Sequence, residues 1–91
     1  MMQTVTTNGV ADSERNRLAW QCRRGMRELD EMLGHFLDLG FSQLDEPGRA
    51  HFSRLLNYPD AVLLELLMGR MAPADMEVAH IVRTIRSTLA S

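Results

Sequence analysis

Residues 26–40 read MRELDEMLGHFLDLG, and this stretch decides the fold class because its apolar residues recur at spacings of three and four. Such a period matches the helical turn and places the apolar side chains on one face. That face consists of Met26, Leu29, Leu33, Phe36 and Leu37. Gly40 can stop the helix. The stretch therefore predicts an amphipathic helix that buries one face against the rest of the chain.

Three further helices are predicted after Gly40. Asp45 and Asp60 can each cap a helix start, and the last helix is expected to start near Ala74 or Asp75. The three apolar sets are Phe52, Leu55 and Leu56; Leu63, Leu64, Leu66, Leu67 and Met68; and Val78, Ile81, Val82, Ile85 and Leu89. We expect the second of these helices, with the broadest apolar set, to be the central element of the fold.

The N-terminal part of the chain predicts one more helix, from a cap at Asp12 or Ser13 to about Arg24. Residues 1–11 are rich in Thr, Gln, Asn and Gly without an apolar period, which predicts a flexible tail. Residues 12–91 then form a single helical domain. The fold class is all-α, a compact bundle of five short helices, and a chain of this length can build one modest core.

The composition restricts the class of protein. Hydrophobic residues make up 45% of the chain and charged residues 24%, which is typical of a globular domain. The N-terminus lacks the basic start and apolar stretch of a signal peptide, so we expect a cytoplasmic protein. His35, His51 and His80 show no metal-ligand spacing, and a metal site is not expected. The single Cys22 is expected to be helix filler rather than a nucleophile.

Residues 22–30, CRRGMRELD, set a glycine among charged side chains at the start of the amphipathic helix. Glycine in a helix costs up to about 1 kcal/mol relative to alanine, so stability alone does not favour it there. Arg24 and Glu28 would share one helix face if the helix continued through Gly25. Such a pair can be a solvated ion pair and no more. The glycine favours a docking surface, because it lets a partner approach closely.

This segment resembles the Arg-Gly-x-x-Glu motif of the small flavinylation factors of succinate dehydrogenase, also called SdhE-like assembly factors. Arg24, Gly25 and Glu28 match the signature, and Trp20 precedes it. Further similarity at residues 52–56 and 73–75 extends the resemblance from about Leu18 to Ile85. Trp20 is expected to lie at the edge of the core.

The resemblance implies an assembly factor that is not an enzyme. It would bind the flavoprotein subunit of succinate dehydrogenase or fumarate reductase, as a monomer, and promote covalent attachment of FAD to a histidine of that subunit. FAD would be held by the partner, with no cofactor bound tightly by this chain. The implied partner-binding residues are Arg24, Gly25 and Glu28, with Arg23, Met26, Arg27 and Asp30 as flanking positions.

A small helical nucleic-acid-binding regulator is the alternative, because half of the ten basic residues lie within residues 15–27. They are Arg15, Arg17, Arg23, Arg24 and Arg27. Neighbouring carboxylates at Glu14, Glu28, Asp30 and Glu31 would repel phosphates, and the net charge of −2 also argues against such a protein.

Overall fold

The computed structural model describes the backbone of residues 4–90 and the side chains of residues 13–90. Five α-helices follow one another, and the described residues contain no strand. They are α1 (Thr4–Gln21), α2 (Arg27–Leu39), α3 (Glu46–Leu55), α4 (Asp60–Leu67) and α5 (Met76–Ala90), with a short 3₁₀ turn at Phe41–Gln43 between α2 and α3. The predicted all-α fold class is confirmed. No helix in this part of the chain has the length and apolar character to cross a bilayer.

Helix α2 carries the apolar face that its sequence predicts, with Leu29, Leu33, Phe36 and Leu37 buried. The Phe36 ring of α2 packs in a cluster with two other phenylalanine rings, Phe41 and Phe52. The ring of Phe52 lies 5.3 Å from that of Phe36 and 6.0 Å from that of Phe41, centroid to centroid, in the tilted arrangement that aromatic pairs favour. Phe41 lies in the 3₁₀ turn, outside any helical period, and the apolar pattern did not indicate it.

Helices α2 and α5, rather than α4, are the central elements, because α2 packs against α1, α4 and α5, and α5 packs against α2, α3 and α4. The predicted stripe of α5 is buried from Val78 to Ile85, and Leu89 is half-buried. Helix α4 is only eight residues long and buries Leu63, Leu66 and Leu67. Leu64 is half-buried and Met68 is 46% exposed, so the predicted buried set was too broad. The helix ends before Met68, which leaves that side chain outside its packed face.

Two of the predicted helix starts are confirmed. The Asp45 carboxylate accepts a hydrogen bond from the Gly48 amide at 2.8 Å. The Asp75 carboxylate accepts one from the Glu77 amide at 2.8 Å. The cap predicted at Asp60 is wrong, because Pro59 holds the N-cap position of α4 without a side-chain bond and Asp60 is already in the helix.

Helix α1 begins at Thr4 and ends at Gln21, so the predicted bounds at Asp12 or Ser13 and at Arg24 are wrong. Residues 4–12 show no apolar period, which is why their sequence did not indicate a helix. The flexibility of residues 1–11 and the assignment of residues 12–91 to one domain stay predictions, and residues 1–3 lie outside the described residues. Leu18 and Cys22 connect this helix to the core.

Replacing Gly40 by alanine should destabilise the fold. The backbone at Gly40 has φ −122°, which any residue adopts, but a Cβ there would lie 2.5 Å from an edge carbon of the buried Phe36 ring. Overpacking of this kind costs about 1–3 kcal/mol. The free energy of unfolding, measured by urea denaturation, should fall by that amount in Gly40→Ala.

Gly34→Ala is the matched control, because a Cβ at Gly34 meets no atom within 4 Å in the middle of α2. It should raise the free energy of unfolding by about 0.5–1 kcal/mol. Equal effects of the two substitutions would contradict this account of the Phe36 packing.

Candidate functional site

The Arg-Gly-x-x-Glu segment crosses a loop between α1 and α2 rather than a continuous helix. Helix α1 closes with a hydrogen bond of 3.0 Å from the Cys22 amide to the Leu18 carbonyl, and α2 begins at Arg27. Gly25 lies between them at φ +86°, in the left-handed region where residues with a Cβ are strained. The glycine therefore has a conformational reason of its own. Because the helix is interrupted, the i,i+4 pair predicted between Arg24 and Glu28 does not form.

The guanidinium of Arg24 is turned into the protein, and its side chain is only 15% exposed. Its Nε donates to the Asp60 carboxylate at 2.7 Å. Its Nη1 donates to the carbonyls of Gln21 at 2.8 Å and Leu56 at 2.9 Å, and Nη2 donates to the carbonyl of Tyr58 at 2.9 Å. One side chain thus joins the end of α1, the chain just after α3 and the start of α4.

Asp30 holds the same loop from the other side. Its carboxylate accepts the amide of Arg24 at 2.7 Å and the amide of Gly25 at 3.3 Å. Asp30 is itself fixed in the first turn of α2, where its amide donates to the Met26 carbonyl at 2.8 Å. Hydrogen bonds to a carboxylate are stronger than neutral ones. Arg24 and Asp30 together determine the path of the backbone through Gly25. The next residue, Met26, is half-buried and packs against the core.

The other predicted site residues are exposed. Gly25 has no atom within 4 Å of the position a Cβ would take, so its outer side is open. The Arg27 side chain is 89% exposed and reaches Glu31 at 3.4 Å. The Glu28 side chain is exposed and makes no hydrogen bond with other side chains or with the backbone of the described residues. The structure thus divides the predicted set into residues that hold the loop and residues that face outward, namely Arg23, Gly25, Arg27 and Glu28.

Trp20 lies beside these outward residues with 71% of its surface exposed, so its expected place at the edge of the core is wrong. Leu18 and Cys22 occupy the buried face of this end of α1 instead. A lone aromatic residue beside a motif does not reveal from sequence which helix face it takes.

Two grooves flank the start of α2. Gly25 and Asp30 line one of about 620 Å³ between α1 and α2. Glu28 lines the other, of about 550 Å³, which also touches Met32 and Leu89. Gly25 and Glu28 therefore border two different grooves, on either side of the N-terminal turn of α2.

The arginine cluster at residues 15–27 is largely paired with carboxylates. Arg15 contacts Asp38 at 3.2 Å, Arg24 contacts Asp60 at 2.7 Å and Arg27 contacts Glu31 at 3.4 Å. These pairs reduce the positive field available to a phosphate backbone. The nucleic-acid alternative is therefore not favoured.

Cys22 is 3% exposed, and burial raises the pKa of its thiol to about 12, with the Asp30 charge raising it further and the Arg24 charge opposing the shift. A thiol with this pKa is protonated at neutral pH and is a poor nucleophile. Within the described residues, no three His, Cys, Asp or Glu side chains form a group that could hold a metal ion.

The family model described as flavinator of succinate dehydrogenase matches residues 16–89. The chain belongs to this family. It is similar to the FAD assembly factor SdhE of Haemophilus ducreyi, at 34% identity over 80 residues, which cover 88% of this chain and 98% of that protein. It is 39% identical over 75 residues to the SdhE of Methylococcus capsulatus, covering 82% of this chain and 90% of the relative.

The SdhE of Coxiella burnetii is 37% identical over 70 residues, covering 77% of this chain and 85% of the relative. The resemblance inferred from the motif is confirmed. Residues 16–89 include the loop and every residue that Arg24 contacts.

Removing the Arg24 side chain should destabilise the protein strongly. Arg24→Ala leaves the Asp60 carboxylate and the Leu56 and Tyr58 carbonyls without these partners, which should lower the free energy of unfolding by about 2–4 kcal/mol. Arg24→Lys should fall in between, because an ammonium cannot reproduce the fork of the guanidinium. Arg27→Ala is the control and should unfold like the parent in urea, since Arg27 is exposed. Similar losses for Arg24→Ala and Arg27→Ala would refute the internal role of Arg24.

The Cys22 thiol should resist alkylation by iodoacetamide at pH 8 in the folded protein and react in urea, as mass spectrometry would show. Its ordinary pKa of 9.0 is raised to about 12 by folding, so the folded state retains a proton that the unfolded state loses. The resulting stabilisation is complete below pH 9 and declines from pH 9 to 12. Cys22→Ala should flatten this part of the stability curve relative to the parent, and an unchanged slope would contradict the assignment.

Proposed function

We propose that this protein promotes covalent attachment of FAD to the flavoprotein subunit of succinate dehydrogenase, as an assembly factor and not as an enzyme. The observation that carries the proposal is the family match over residues 16–89. The names of the relatives, FAD assembly factor SdhE, support the same role. The exposed loop at Gly25 supplies a surface through which it would act.

The proposed binding surface consists of Arg23, Gly25, Arg27 and Glu28, which face outward around the start of α2. Gly25 is the closest point of approach, because no side chain stands above its backbone. Arg24, Met26 and Asp30 contribute indirectly by holding the loop. Since Arg24 and Asp30 fix the backbone through several hydrogen bonds, little conformational freedom is left to lose on binding.

Covalent flavinylation needs loss of a proton from the flavin 8-methyl group and a histidine nitrogen held in attack geometry. The methyl group belongs to FAD and the histidine to the partner, so neither group comes from this chain. This chain would contribute positioning, which can supply several kcal/mol of rate acceleration when reacting atoms are held close together. A rigid contact at the start of α2 would hold the flavoprotein in the arrangement that aligns histidine and flavin. The buried, protonated Cys22 supports a role without a nucleophile in this chain.

The proposal includes a second partner, the flavoprotein subunit of fumarate reductase, to which FAD would be attached covalently in the same way. We propose that the protein acts as a cytoplasmic monomer and that it holds no FAD tightly of its own. The absence of a Gly-x-Gly-x-x-Gly loop from the sequence supports the last point.

Addition of the protein to purified apo-flavoprotein and FAD should increase covalently bound flavin, measured as fluorescence that persists in a denaturing gel. Gly25→Ala and Gly25→Arg share the strain of a Cβ at φ +86°, so their stabilities should be similar. Only Gly25→Arg adds bulk to the proposed contact. We expect Gly25→Arg to lower the flavinylation rate at least tenfold below Gly25→Ala.

Circular dichroism at the assay temperature controls for folding of both variants. Equal rates for the two variants would exclude close approach at Gly25. No stimulation by the parent protein would refute the proposed function itself.

A further inference from the structure

Trp20 is the only tryptophan of the chain and is 71% exposed near the C-terminal end of α1. Exposed tryptophan is uncommon, because its large ring gains much from burial. It is also the residue type most enriched among the side chains that dominate protein–protein binding. The other described residues cover less than a third of the Trp20 surface.

Arg23 lies over the exposed ring, with its guanidinium carbon 5.1 Å from the ring centroid. This is within the range of a cation–π interaction. The Arg23 side chain makes no hydrogen bond or ion pair with the residues that the structure describes, so its donors stay available. The two side chains order each other, which lowers the entropic cost of binding through them.

The Trp20–Arg23 pair is continuous with the proposed binding surface. Arg23 borders the groove of Gly25 and also a smaller notch that it shares with Asn16, Ala19 and Trp20. A partner seated on Gly25 would therefore extend onto the tryptophan without crossing unrelated surface. Stable interfaces bury about 800 Å² on each side, more than a loop of a few residues supplies.

We propose that Trp20, stacked with Arg23, is the apolar anchor of the contact with the flavoprotein subunit. This inference rests on the proposed function and adds a residue outside the Arg-Gly-x-x-Glu motif. The occupant is an apolar recess of the partner with a carboxylate at its rim. The ring fills the recess, and the Arg23 guanidinium donates to the carboxylate in the bidentate geometry that arginine favours.

Charge argues against a second copy of this chain as the occupant. Arg17 lies three residues before Trp20 on α1 and is exposed, and the guanidinium of Arg23 lies over the ring. A two-fold contact centred on Trp20 would bring these arginines close to their own copies. A partner with acidic groups around an apolar recess meets no such repulsion.

The test compares binding of the full chain and its variants to purified apo-flavoprotein subunit by titration calorimetry. Trp20→Ala should raise the Kd about 30-fold or more, the loss typical of an anchor residue. Trp20→Phe keeps an aromatic ring and should stay within about tenfold of the parent. Met76→Ala is the matched control, because Met76 is apolar and 83% exposed at the start of α5, and its Kd should be unchanged.

A second readout uses the single tryptophan directly. Protein labelled with 5-fluorotryptophan should give one ¹⁹F resonance, which shifts or broadens when apo-flavoprotein is added. A shift that follows protein concentration alone would assign the ring to a second copy. A shift caused by anionic lipid vesicles, with none from the flavoprotein, would assign it to a membrane surface, and either result overturns the proposal.

The outcomes separate this inference from the proposed function. If the parent stimulates flavinylation and Trp20→Ala binds as tightly as the parent, the anchor is refuted and the function stands. If the parent neither binds apo-flavoprotein nor stimulates flavinylation, both fall. A loss in Trp20→Ala that Trp20→Phe restores supports an aromatic anchor, provided that all variants keep the helical circular dichroism of the parent.

Discussion

The hydrogen bonds of Arg24 are the constraint on which the candidate site depends. Its guanidinium contacts Gln21, Leu56, Tyr58 and Asp60, which belong to three separate parts of the fold. These acceptors bring the end of α1 to the connection between α3 and α4. The loop that contains Gly25 begins at this end of α1. The most internal residue of the motif therefore shapes the surface that the other motif residues present.

Rigidity and exposure have separate sources in this loop. The Asp30 carboxylate holds the loop backbone by accepting its amides, and the Arg24 side chain ties the loop to the rest of the fold. Gly25, in contrast, takes a left-handed conformation and has open space outside it. A surface organised in this way loses little entropy when a partner binds. That property suits a factor that positions another protein's reacting groups. It also explains why the same glycine serves both the backbone path and the proposed close contact.

Amphipathic faces made most of the fold predictable. The stripes of α2, α3 and α5 are buried much as their spacing indicates, because burial of an apolar face is a local property of a helix. The caps at Asp45 and Asp75 are equally local. The start of the first helix was not predicted, because residues 4–12 have no apolar period. The burial of Phe41 was not predicted either, because this residue lies in a 3₁₀ turn. The central places of α2 and α5 depend on how helices assemble, which their individual patterns do not encode.

The sequence by itself determined the helical class, the family and the presence of the Arg-Gly-x-x-Glu motif, because spacing and residue type carry that information. Only the tertiary structure decided that Arg24 points inward and Trp20 outward. The partners of Arg24 at Leu56, Tyr58 and Asp60 are more than thirty residues away along the chain, and such contacts exist only after the helices pack. The Arg24 side chain is mostly buried and its neighbour Arg23 is exposed because folding brings hydrogen-bond acceptors close to Arg24 alone, and the local sequence does not contain these acceptors.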